Sequence, residues 1–81
     1  MKIVFTKHAG ERMKERNIKK SEVKEAILYP HRIMEKLEQR IIKNIRKNGQ
    51  LLIIYIVDER KLVRVITVIT TSKLSKYLKN E

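Results

Sequence analysis

A chain of 81 residues predicts one small domain with a single modest core. It has no cysteine, which excludes disulfides, thiolate chemistry and Cys-ligated metal sites. Twenty Lys and Arg against nine Asp and Glu give a net charge of +11, and 42% apolar residues are too many for a disordered basic tail.

The charge favours a polyanion, such as RNA, DNA or an anionic membrane, or else an acidic protein partner. A Lys- and Glu-rich surface habit accounts for the 36% charged fraction but not for the imbalance. His8 and His31 stand outside any HExxH or carboxylate cluster, so no metal and no cofactor is expected. The N-terminal run turns polar after Phe5, and nothing approaches a membrane span. These features predict a cytoplasmic protein that does not enter a membrane.

In chain order, residues 2–5 (KIVF) suit a first strand. Thr6 suits an N-cap for a helix over 7–16, with Ala9 and Met13 on one face and His8, Arg12 and Glu15 on the next. Asn17 suits the left-handed position that ends it. Ser21 is placed to cap a second helix, with Glu22 in its first turn. Pro30 stops that helix near Leu28 or Tyr29. Over 33–47 two patterns compete. One is a pair of imperfect strands; the other is a helix with Ile33, Leu37, Ile41 and Ile45 as its stripe. Asn48-Gly49 is the clearest turn. Residues 51–57 (LLIIYIV) and 62–70 (LVRVITVIT) read as two strands joined through a tight polar connection. Ser72 or Thr71 then caps a short closing helix. The order predicts a single α+β domain over 1–81.

The run His8-Ala9-Gly10-Glu11-Arg12-Met13-Lys14-Glu15-Arg16 matches the pattern HA-x-x-R-M-x-x-R. Ile18, Ser21-Glu22-Val23, the stop at Pro30 and the late strand Val65–Thr70 follow it. With these features the chain resembles a family of small, mostly uncharacterised domains within the RelE/ParE-like toxin superfamily. The resemblance implies two N-terminal helices packed on a curled antiparallel sheet, in the order β-α-α-β-β-β-β with a short C-terminal helix. It implies strands for 33–47. It also implies an mRNA-cleaving toxin or a descendant of one, neutralised by an acidic antitoxin.

RNA can be cut without a metal when a base activates the 2′-OH, cations stabilise the phosphorane and an acid protonates the leaving oxygen. His8 is the base or acid candidate, because its ordinary pKa is near neutral. Arg12, one helical turn away, can clamp a phosphate. Equally, His8 can make a structural bond, and Arg12 and Arg16 can pair with nearby glutamates. Arg64 interrupts an apolar strand, so it must reach solvent, an ion-pair partner or a ligand. Tyr77 is a weakly acidic hydrogen-bond donor or a packing residue. By approximate position, Arg64 and Tyr77 correspond to the strand arginine and C-terminal tyrosine that the resemblance implies. Arg16, Lys43, Arg46, Lys47 and Arg60 complete a phosphate footprint.

Two functions are therefore expected. One is a toxin-like, metal-independent endoribonuclease acting through His8, Arg12, Arg64 and Tyr77, with ribosome-bound mRNA as one substrate. The other is a non-catalytic basic module that binds nucleic acid or an acidic protein. A homodimer paired through the apolar hairpin is a third arrangement.

Overall fold

In the computed structural model, which describes residues 2–78, the chain forms eight elements. They are β1 (Lys2–Phe5), α1 (Lys7–Glu15), α2 (Lys20–Leu28), β2 (Arg32–Lys36), β3 (Gln39–Ile45), β4 (Leu51–Glu59), β5 (Leu62–Thr71) and α3 (Leu74–Leu78). All five strands join one sheet in the order β1-β5-β4-β3-β2. Successive hairpins make β2 to β5 antiparallel neighbours. β1, however, lies parallel to β5, with Ile3 beside Val63 and Phe5 beside Val65. The sheet is mixed, which corrects the expectation of an antiparallel one. The hairpins stack β4, β3 and β2 on one side of β5. They leave its other edge open, and a strand that precedes two helices docks there in parallel orientation.

Burial decides the contest over 33–47. Adjacent residues Ile41 and Ile42 are 8% and 0% exposed, on opposite faces of β3. Adjacent buried residues of a helix face the same side, as Ala26 and Ile27 of α2 do, whereas successive residues of a strand between two layers are buried on opposite faces. Three members of the rival helical stripe, Ile33, Leu37 and Ile45, are exposed instead. β4 makes the same point more strongly, because Leu51 to Ile54 are all buried. Leu52, Ile54 and Ile56 face the cluster under α1 and α2, with Ala9, Met13, Val23, Ala26 and Ile27. Leu51 and Ile53 face the opposite side, where Leu74, Tyr77 and Leu78 of α3 pack over them.

The helical connections depart from the expectation at one cap. Ile18 is buried, and its N–H donates to the Met13 carbonyl at 2.8 Å after Asn17 has turned the chain at φ 55°. The helix can start only after that anchor, so Lys19 takes the N-cap position without a side-chain bond and Ser21 falls inside the first turn. Among the described residues, no helix is long and apolar enough to cross a membrane.

A bulge ties α1 to the sheet. Tyr55 pairs Thr67 while Ile56 pairs Val65, so Ile66 is the extra residue in β5. The bulge re-phases the strand: Val63, Val65 and Val68 all face the helices despite their unequal parity. Thr6 occupies both sides of this junction. Its hydroxyl donates to the Ile66 carbonyl at 3.0 Å and accepts from the Ala9 N–H at 3.0 Å. Its backbone N–H donates to the Val65 carbonyl at 3.1 Å. Thr6→Ala removes both hydroxyl bonds, and urea unfolding should show a loss of about 1–2 kcal/mol, most of it restored in Thr6→Ser.

Candidate nucleic-acid interface

The sheet separates the four residues nominated for catalysis. α1 packs on β5 through Ala9 and Met13, which leaves His8 exposed and Arg12 half-buried on the helical layer. Arg12 pairs with Glu15 at 3.6 Å, one of the structural partners available to it. Arg64 sits between Val63 and Val65, both of which face the helices, so its side chain projects from the other face. Tyr77 is also on that face, packed by its ring against Ile41, Leu51 and Ile53. His8 and Arg12 therefore do not meet Arg64 and Tyr77.

Arg64 is engaged by Glu59 across the β4–β5 hairpin. Its Nε donates to one carboxylate oxygen, and its Nη2 donates to the other at 3.2 Å. This hydrogen-bonded pairing lowers the Glu59 pKa below its ordinary value and raises that of Arg64. Tyr77 contributes its backbone rather than its hydroxyl, because the Lys43 ammonium donates to the Tyr77 carbonyl at 2.8 Å.

The five nominated phosphate contacts also scatter. Lys43 lies half-buried beside α3. Arg60 stands exposed in the β4–β5 turn, at the opposite end of β4 from the β3–β4 hairpin. Arg16 caps the C-terminus of α1 and is exposed. Arg46 and Lys47 do share a place, the tip of the β3–β4 hairpin. Arg46 donates twice to the Glu22 carboxylate, at 2.7 and 3.1 Å, and once to Gln50 at 3.2 Å. Only 14% of its side chain is exposed. It acts as a brace between α2 and the hairpin. Lys47 next to it is exposed.

That brace forms one wall of an open cleft of about 530 Å³ between the start of α2 and the hairpin. Lys19 and Glu25 stand on the helix side, Arg46 and Lys47 on the hairpin side, and His31 and Asn44 also line it. Gly49, at φ 89°, closes the hairpin in a conformation that favours glycine. His31 is built into the cleft. Its N–H donates to Asn44 Oδ1 at 2.7 Å, and its Nδ1 accepts the Ile45 N–H at 3.0 Å. Asn44 Nδ2 in turn donates to the Tyr29 carbonyl at 3.3 Å. The sequence reading missed Lys19 as a site residue. Its signal was the pair Lys19-Lys20 at the start of a helix that faces the Asn48-Gly49 turn. Among the described residues, no group of three or more His, Cys, Asp or Glu is placed to hold a metal ion.

Two helices on one face of a five-stranded mixed sheet, with a basic cleft at the hairpin end, define a small α+β domain. The chain belongs to the family described as Domain of unknown function (DUF4258), whose model matches residues 5–70. That span holds both N-terminal helices and strands β2 to β4 with nearly all of β5, and it leaves α3 and Tyr77 outside. No curated protein and no solved structure matches the chain.

Two measurements check this geometry. In Arg64→Gln, the Glu59 carboxyl should titrate at a higher pH by NMR than in the wild type. Because the folded Glu59 pKa is lowered, the pairing's contribution is present above the unfolded value of 4.5 and is lost as pH falls through the lower folded value. A double-mutant cycle of Glu22→Gln and Arg46→Met should give a coupling of about 1 kcal/mol, since the pair is bidentate but incompletely buried.

Proposed function

We propose that the chain is a non-catalytic, RNA-binding basic module on a RelE/ParE-like architecture. One observation carries this reading: the groups nominated for acid–base work lie on opposite faces of the sheet. Strand scission by 2′-OH attack needs a base, a cation and an acid within hydrogen-bond reach of one phosphate. Arg64, the cation nominated from the strand, is already matched by Glu59.

Binding makes weaker demands. Phosphate contacts need cations in reach of solvent and no exact geometry at a reacting atom. Three arginines of the sheet and the β3–β4 hairpin take nearby carboxylates: Arg40 pairs with Asp58, Arg46 with Glu22 and Arg64 with Glu59. This leaves exposed lysines such as Lys19 and Lys47 without an ion-pair partner among the described residues. A surplus of +11, with Lys19 and Lys47 exposed and without an ion-pair partner among the described residues, suits a partner with regularly spaced negative charge.

Purified protein mixed with labelled single-stranded RNA tests the proposal. The RNA should bind, with affinity falling steeply as salt rises, and should remain intact. His8→Ala, Arg64→Ala and Tyr77→Phe should bind as the wild type does. Cleavage abolished by those substitutions would establish the endoribonuclease instead. Salt-insensitive binding, or none, would remove the RNA-binding module.

A further inference from the structure

We infer that the phosphate chain of a single-stranded RNA runs through the cleft between the start of α2 and the β3–β4 hairpin, held by Lys19 and Lys47. This inference rests on the RNA-binding reading above and gives that reading a place. Lys19 and Lys47 line the cleft from its two walls. Both are exposed, and neither has an ion-pair partner among the described residues.

The walls are held before any ligand arrives. Arg46 locks the hairpin to α2 through Glu22. Gln50 accepts bonds from Arg46 Nη1 and Asn48 Nδ2, each at 3.2 Å, and its own N–H donates to Asn48 Oδ1 at 2.9 Å. Ile18 fixes the turn on the other side. The backbone that carries the two lysines is thus fixed before a phosphate chain enters, so the ordering cost falls on their side chains alone.

The lining also selects the kind of nucleic acid. Among the described residues no Phe, Tyr or Trp lines the cleft, and the His31 ring there is tied to the Ile45 N–H through its Nδ1, so base stacking contributes little and the phosphates dominate. A cleft of about 530 Å³ has the size of a small-ligand site, which admits a strand but not a stiff duplex. An acidic protein fits less well, because four of the five exposed large apolar side chains among the described residues, Leu28, Tyr29, Ile33 and Leu37, lie outside the cleft and only Ile45 lines it. A protein interface is usually centred on such residues. Glu22 and Glu25 are the negative groups in the lining. Glu22 is neutralised by Arg46, whereas Glu25 has no ion-pair partner among the described residues and opposes the ligand.

Fluorescence anisotropy with a labelled oligouridylate of about 12 nucleotides tests the path. The double variant Lys19→Gln/Lys47→Gln is compared with Lys61→Gln/Lys73→Gln, which makes the same charge change away from the cleft. The cleft pair should weaken binding about tenfold or more at low salt, and the distant pair less than about threefold. The cleft pair should also lower the slope of log affinity against log salt by about 1.4, the value for two lost contacts to a single strand. Glu25→Gln should tighten binding. Thermal unfolding of each variant confirms that the fold is retained. Equal weakening by both pairs would overturn the path and leave the RNA-binding reading standing. So would a DNA duplex that bound as tightly and was equally sensitive to the cleft pair. Failure of the wild type to bind the oligouridylate would overturn the RNA-binding reading itself.

Discussion

The burial of β4 on both faces is the constraint on which the rest of the molecule depends. Leu51 to Ile54 are all buried, so the sheet must have a layer on each side. Burying each of these side chains is worth roughly 1.5–3 kcal/mol, which makes the strand the largest local source of stability. α1 and α2 supply one cover and the five-residue α3 supplies part of the other. Charged side chains next to this strand must then run to an edge or find a partner. Arg64 does the second: it leaves a β-branched strand on the face opposite the helices and is met there by Glu59.

The same constraint divides the charges by type. Carboxylates near the sheet meet arginines, whose planar forks make two bonds to Asp58, Glu22 and Glu59. These arginines stabilise joints: Arg40 and Arg64 join strands, and Arg46 joins the hairpin to α2. Exposed lysines such as Lys19 and Lys47 have long flexible stems and little to gain from a fixed pair, and together with the exposed Arg16, Arg32 and Arg60 they carry charge outward. A basic composition thus becomes two populations, one structural and one free to meet a ligand.

Parts of this were legible along the chain. Two apolar runs separated by four polar residues announced β4 and β5, because a near-continuous apolar strand has only one suitable place, between layers. Asn48-Gly49 announced the hairpin, and Thr6 announced the start of α1. Other parts were not legible. The bulge at Ile66 leaves no mark, since every neighbour is equally β-branched. Ser21 looked like a better cap than Lys19 by residue type, but the burial of Ile18 sets where α2 begins. Ile33, Leu37, Ile41 and Ile45 looked like a helical stripe, and only packing against β4 reveals them as strand and turn residues.

The sequence by itself determined the class of fold, the excess of positive charge and the residue types available for chemistry. Each of these follows from composition and local periodicity, which need no knowledge of distant neighbours. Only the tertiary structure decided which charges remain free. Glu59 and Arg64 face each other because a hairpin brings them together, and Glu22 reaches Arg46 across 24 positions of chain. Lys19 and Lys47 lie on two walls of one cleft for the same reason. Ion pairing depends on distances of a few ångströms, and such distances exist only once the sheet has closed.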